Sequence, residues 1–220
     1  MEYELMSYEY REIDKCPVVI IDDVFDDKET KDIWRTINSI SIEGLMEPRN
    51  TGAASTENGI PAKQNSGVFL SSLYDENHQG MCPLNRSMLP KLSTITMTEE
   101  ELSEKTQMPG FSKEHPVFRE YFFSQSLGVL LSYYEEEDHY LPHFDHSNVT
   151  ALCWFCKDEA AFEGGDLIIG YNKKETIEFK NNRVVIIPGW AQHEVTPLKM
   201  NEGYKTEDGD GRWCVSIFHA

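Results

Sequence analysis

The hydrophobic rhythm of this 220-residue chain changes near its middle. Before that point the apolar residues are sparse and clustered. Cys16 to Phe25 (CPVVIIDDVF) is a short β-branched run that reads as a buried strand. Asp26 then offers a helix cap and Glu29 completes a capping box, while Ile33, Trp34 and Ile37 supply an apolar stripe up to about Ser39. From 45 to 95 the periodicity is lost, and Gly52, Gly59, Gly67, Gly80, Pro48, Pro61, Pro83 and Pro90 collect among Asn and Ser. Only Val68-Phe69-Leu70 and Leu73-Tyr74 have packing character there. A loop-rich stretch of this length inside a domain is usually functional or disordered. Thr98 to Thr106 has a helical composition, and Glu114 to Ser126 reads as a second amphipathic helix or an extended apolar segment.

From Leu127 the pattern becomes that of strands. Leu127–Tyr134, Tyr140–Asp145, Thr150–Cys156, Gly165–Tyr171, Glu175–Phe179, Arg183–Pro188, His193–Thr196 and Arg212–His219 are short runs separated by turn signals. Asn181-Asn182 signals a hairpin between two of them, and Gly164-Gly165 marks a corner. Strands at this spacing predict a mainly β chain with flanking helices, built on a double-sheet jelly roll (a double-stranded β-helix). The expected organisation is one domain over residues 1–220. Residues 1–126 would carry the amino-terminal strand, helices and loop-rich insertion, and 127–220 the jelly-roll core.

Composition narrows the partners. The net charge of −18 argues against grip on nucleic acid or anionic lipid, where phosphate neutralisation by Lys and Arg dominates. Five scattered cysteines form no disulfide framework, so reduced thiols are expected. Cys153 and Cys156 make a C-x-x-C in an apolar strand-like run, where positions three apart face opposite ways and read as packing thiols. The start, Met-Glu-Tyr-Glu-Leu, has neither a basic nor an apolar signal region, and no long apolar run could span a membrane. These features predict a cytoplasmic protein. The acidic run Glu135–Asp138 reads as a solvated loop between strands.

Chemistry concentrates at His143-Phe144-Asp145. On a strand, residues two apart share a face, so an imidazole and a carboxylate would project together. A third ligand is offered by His193, after the apolar run Val-Val-Ile-Ile-Pro. Two histidines and one carboxylate on one face of an ion form the facial triad of non-haem Fe(II) oxygenases. The remaining histidines (His78, His115, His139, His146 and His219) have no partner at comparable spacing and read as surface or satisfied polar residues.

Residues 133–219 resemble the catalytic core of the Fe(II)/2-oxoglutarate-dependent dioxygenases, prolyl 4-hydroxylase type. The matching features are Tyr134 and Tyr140 ahead of His143, and the F-x-G-G-x-L corner Phe162-Glu163-Gly164-Gly165-Asp166-Leu167. They continue with Pro188 to Val195, which reads P-x-x-x-H-x-V with one extra residue, and with a basic residue, Arg212, opening the last strand. The opening strand and helix, Val18 to Ile40, fit the family's amino-terminal layer. The resemblance implies that His143, Asp145 and His193 hold Fe(II), leaving positions for a bidentate 2-oxo acid and O2. Arg212 would anchor the distal carboxylate of 2-oxoglutarate, with a permanently charged guanidinium that donates two parallel hydrogen bonds. Cys214, Ser216 and Phe218 would share its strand face. Arg183 is the alternative anchor, at a turn open to solvent. Tyr134 would add a phenolic hydrogen bond, whereas Tyr140, three residues from His143, would face away in a regular strand unless Pro142 breaks it.

The function implied is hydroxylation of a C–H bond in an amino acid, peptide or protein residue, with 2-oxoglutarate decarboxylated to succinate and ascorbate as a candidate supporting reductant. Asp145 is intact, unlike the equivalent position in related halogenases. Phe218 stands where nucleic-acid repair relatives carry a second arginine, which weighs against a nucleic-acid substrate. A non-catalytic jelly roll that binds a ligand or senses oxygen or 2-oxoglutarate is the alternative. The polar insertion Met200–Gly211 is longer than the usual turn. It and the stretch Gly44–Lys91 are the expected segments at the active-site mouth, where loops on a rigid scaffold carry specificity.

Overall fold

The strand alternation becomes two facing sheets in the computed structural model, which describes residues 6–42, 44–46, 62–70 and 127–220. The elements in chain order are β1 (Ser7–Ile13), β2 (Cys16–Asp22), α1 (Asp27–Ile42), β3 (Lys63–Gln64), β4 (Ser66–Phe69), β5 (Leu127–Tyr134), β6 (His139–His143) and β7 (Val149–Phe155). They continue as β8 (Phe162–Gly164), β9 (Leu167–Ile169), β10 (Glu175–Ile177), β11 (Arg183–Pro188), β12 (His193–Val195), β13 (Leu198–Met200) and β14 (Arg212–His219). The larger sheet runs β1-β2-β11-β7-β14-β5-β4 and the smaller β10-β9-β12-β6-β3, with β13 and β8 paired apart. Every described pairing is antiparallel, and the architecture is a jelly roll. Strands from before and after residue 126 share both sheets.

Alternation along the larger sheet sorts its side chains into two cores. On β5, Val129, Leu131 and Tyr133 join the layer under α1, while Tyr134 joins the core between the sheets. The expected capping box starts α1: Asp26 Oδ1 accepts from the N–H groups of Lys28 (2.9 Å) and Glu29 (2.8 Å), and Glu29 Oε2 accepts from Asp26 N–H (2.9 Å). Ile33, Ile37 and Ile40 then bury the helix face on the sheet, and Trp34 meets Trp213 edge-on at 6.4 Å. Fully burying such side chains contributes about 1.5–3 kcal/mol each.

Several expectations change. The run from Gly165 to Tyr171 keeps only the three-residue strand β9, which Gly164 and Gly165, both at positive φ, separate from β8. Asn181-Asn182 makes a turn, yet β10 and β11 are not hairpin partners, because they lie in different sheets. The turn is held by side chains instead. Asn182 accepts from Phe25 N–H and donates to Phe25 O, and Asn181 accepts from Cys156 N–H. The acidic run is only partly solvated, since Asp138 is fully buried and accepts from Glu135 N–H at 3.0 Å. Cys153 faces the core under α1 and Cys156 the core between the sheets, both as free thiols. The insertion Met200–Gly211 packs against the far end of β7, where Tyr204 donates to Asp158 Oδ2 at 2.7 Å and Lys157 Nζ donates to Asp208 O. None of its residues lines the cavity at the mouth.

Thr98–Thr106, Glu114–Ser126, Leu73-Tyr74, His78, Cys82, His115 and most of Gly44–Lys91 lie outside the described residues. Among the described residues no helix is long and apolar enough to cross a membrane.

Candidate active site

β6 and β12 lie side by side with His143 opposite His193, so two imidazoles enter the space between the sheets from adjacent strands. Asp145 follows in the loop after β6, so the H-x-D pair straddles a strand end instead of lying within the strand. His143 Nε2 is 3.7 Å from Asp145 Oδ1, and His193 Nε2 is 3.6 Å from Asp145 Oδ2. One ligand atom from each residue falls within 4.8 Å of the other two. Both rings are held by the same device, with Nδ1 bonded to the carbonyl two residues earlier: Leu141 O at 2.8 Å and Ala191 O at 2.9 Å. A carbonyl only accepts, so Nδ1 carries the proton and the Nε2 lone pairs point to the common centre. Burial first, then the neighbouring His193, hold His143 well below the usual histidine range, which keeps its ring neutral. Two nitrogen lone pairs and a carboxylate converging without a proton between them fit a cation at their centre.

The loop bearing Asp145 is fixed from two sides. Thr150 Oγ1 donates to Asp145 Oδ2 at 2.6 Å, and Ser147 Oγ lies 2.8 Å from the Thr150 hydroxyl. Asp145 N–H donates to Gly189 O at 2.9 Å. Any side chain at Gly189 would collide with the backbone, because a Cβ there would stand 1.8 Å from Ser147 O. The glycine lets the turn before β12 close on the loop after β6, and so sets Asp145 against His193.

Tyr140 does not face away. Val195 pairs with Tyr140 and His193 with His143, so β6 carries one extra residue between them. This bulge spans Leu141-Pro142 and reverses the alternation. Tyr140 consequently stacks on His143, with centroids 3.4 Å apart and planes at 12°.

Arg212 is 1 % exposed on β14, directly opposite Tyr134 on β5. Its Cζ lies 4.9 Å from the Tyr134 ring, 5.1 Å from Trp154 and 5.7 Å from Phe179, while its Nε and Nη1 have no hydrogen-bond partner. A buried guanidinium in an aromatic box with unused donors fits an anionic guest. Gly165 makes room for it, since a Cβ there would stand 2.8 Å from Arg212 Cδ. Burial pushes the Tyr134 phenol up, so it remains a neutral O–H donor. Arg183 is elsewhere, with Nε and Nη2 on the two Asp22 carboxylate oxygens at 2.6 and 3.0 Å.

His143, Asp145, His193, Tyr134, Arg212 and Lys63 all line one cavity of about 750 Å³. Lys63 has no counterpart in the sequence reading. It lies on a two-residue strand inside the stretch that lacks periodicity, where pattern carries no signal. Its Nζ donates to Ser132 Oγ at 3.3 Å across the gap between the sheets and stands 5.4 Å from the Tyr140 ring centroid. His139 and His146 stay outside the triad, and His219 is buried on β14.

Residues 129–219 match the family model described as the 2OG-Fe(II) oxygenase superfamily. Among solved structures, a Pseudomonas putida prolyl-4-hydroxylase is similar at 11% identity, over 92% of this chain and 91% of that one, with a TM-score of 0.53. The non-haem alpha-ketoglutarate-dependent epimerase SnoN of nogalamycin biosynthesis is similar at 11% identity, over 96% of this chain and 78% of that one, with a TM-score of 0.50. A viral collagen prolyl hydroxylase from Paramecium bursaria Chlorella virus-1 has 13% identity over 91% and 93%, with a TM-score of 0.49. No curated protein matches the sequence. At these identities the structural likeness establishes the fold, and one fold carries both a hydroxylase and an epimerase.

Proposed function

We propose that this chain, whose residues 129–219 form a core of the 2OG-Fe(II) oxygenase type, is an Fe(II)- and 2-oxoglutarate-dependent oxygenase that hydroxylates a C–H bond of an amino acid, peptide or protein residue. The observation that carries the reading is one cavity holding both the His143–Asp145–His193 cluster and the unpartnered, buried guanidinium of Arg212. Taking residues 1–220 as a single catalytic domain is supported by the early strands that complete both sheets. We place it in the cytoplasm on its free, buried thiols, and keep ascorbate as a supporting reductant.

His143 and His193 would ligate Fe(II) through Nε2 and Asp145 through its carboxylate. The chemistry such a centre supplies is decarboxylation of 2-oxoglutarate to succinate and CO2, coupled to hydroxylation by O2. Arg212 binds the distal carboxylate of 2-oxoglutarate through its free donors, and Tyr134 donates its phenolic proton to the same group. Trp154 and Phe179 close the aromatic box and exclude water, which strengthens the charge pairing at Arg212. Thr150 holds the orientation of Asp145, and the two backbone carbonyls hold the imidazole tautomers. The test is succinate release from 2-oxoglutarate that requires added Fe(II), and it distinguishes this reading from a non-catalytic binding module. Protein that binds 2-oxoglutarate but releases no succinate with any amino-acid or peptide substrate would favour the binding module.

A further inference from the structure

Lys63 is 6 % exposed, spans from one sheet to the other, and among the described residues has only the Ser132 hydroxyl as a hydrogen-bond partner. Among the described residues no carboxylate lies within ion-pair distance of Lys63 or of Arg212. That is a costly arrangement in a protein with 38 acidic residues unless anions arrive from outside. Among the described residues Asp145 is the sole side-chain carboxylate lining the cavity.

The charges can be matched one by one, on the reading of the site given above. A divalent ion paired with Asp145 leaves one positive charge and Arg212 adds another, and the two carboxylates of 2-oxoglutarate cancel both. Lys63 is then left over. Its position is on the metal side of the cavity, since its ammonium lies over the Tyr140 ring and that ring is stacked on His143. Burial lowers the Lys63 pKa to about 8, so the group remains mainly a cation at neutral pH.

We propose that Lys63 is a specificity-determining residue that binds a carboxylate of the substrate being oxidised, and that the substrate is therefore a small free carboxylic acid of the amino-acid class, not a residue inside a peptide. A residue within a peptide chain has turned its carboxylate into an amide and offers Lys63 no charge. A zwitterionic amino acid also escapes the repulsion that a net charge of −18 would exert on a polyanion. The proposal rests on the oxygenase reading and narrows its substrate.

The experiment uses the full-length Fe(II)-loaded protein with 2-oxoglutarate. The common L-amino acids are each compared with their carboxamides and with capped peptides holding the same residue internally, and the readout is a mass gain of one oxygen. At least one free acid should be turned over about tenfold or more faster, in kcat/KM, than its amide. Lys63→Met should erase that preference and Lys63→Arg should keep most of it. Anaerobic 2-oxoglutarate affinity should stay within about twofold of wild type in both variants. Equal use of acid and amide, preference for the internal residue, or loss of 2-oxoglutarate affinity in Lys63→Met would each overturn the inference. Wild-type protein that binds no 2-oxoglutarate with Fe(II) would bring down the oxygenase reading itself and the inference with it. Retained binding without acid preference removes the inference alone.

Discussion

At the scale of single residues, the candidate site is defined by what its atoms lack. His143 and His193 present unprotonated nitrogens to a carboxylate, and Arg212 holds unused donors within an aromatic box. Asp145→Ala should therefore abolish Fe(II)-dependent succinate release while leaving the far-ultraviolet circular dichroism unchanged; wild-type turnover in that variant would remove Asp145 from the metal site. Thr150→Val keeps the shape of a fully buried side chain but removes the hydrogen bond to Asp145. Groups that orient a ligand in this way are typically worth about 10–100-fold in metal affinity, so Mn(II) or Fe(II) titration should register a loss of that order. Arg212→Lys should raise the KM for 2-oxoglutarate more than that for the substrate, and Arg212→Ala should raise it by about tenfold or more. An unchanged KM in both variants would place the anchor elsewhere. That the triad, Tyr134 and Arg212 come together at one cavity was legible because each sits in a motif with fixed spacing. The facing of Tyr140 stayed open in the sequence because alternation counts residues, and the one-residue bulge at Leu141-Pro142 reverses the count. Lys63 was not legible because its contact is across the gap between the sheets, with a residue far away in the chain.

At the scale of elements, local signals and long-range pairing divide the labour. α1 was legible almost completely, since its cap, its capping box and its apolar stripe are all properties of neighbouring residues. β1 was not, because its sequence SYEYREI alternates partly exposed side chains and becomes a strand by pairing along β2 at the sheet edge. The ribbon of β8 and β13 escaped for a related reason: three-residue strands carry too little pattern to be seen alone. The motif glycines proved to be geometric requirements of the site. Gly165 has φ of +69° and lies against Arg212, and Gly189 lets two loops touch. Gly165→Ala should cost about 1–3 kcal/mol in stability from its backbone conformation alone. It should also weaken 2-oxoglutarate binding by displacing the guanidinium, which a calorimetric titration would register. By contrast, Asp26→Ala removes a helix cap far from the cavity. It should cost about 1 kcal/mol, lower the Tm by about 2–4 °C and leave metal affinity unchanged.

For the whole molecule, acid is the condition that separates the buried histidines from the rest of a strongly acidic chain. His219 on β14 is 7 % exposed, and burial lowers its pKa from the ordinary 6.5 to about 4. His143 is held low for the same first reason. In the unfolded chain both would take up a proton near 6.5, while in the metal-free native protein they would not. The unfolded state then binds more protons as pH falls, so the contribution of His219 is complete above about 6.5 and is lost as pH drops toward about 4. Each such histidine makes stability fall by about 1.4 kcal/mol per pH unit within that window. Carboxylates held low in the native state, such as Glu9 with its hydrogen bond from Arg11, enter only nearer their own lower range. Metal-free protein unfolded by urea at pH 7, 6 and 5 should therefore lose stability steeply below pH 6.5, and His219→Gln should make that slope shallower. Saturating Mn(II) should raise stability at pH 7 through binding to the native state alone. That increment reports the native-state affinity for the ion, because protonation of the unfolded chain enters the stabilities with and without Mn(II) alike. A slope unchanged in His219→Gln would show that this histidine is protonated in the native protein, and the absence of any Mn(II) increment at pH 7 would remove the proposed ion site.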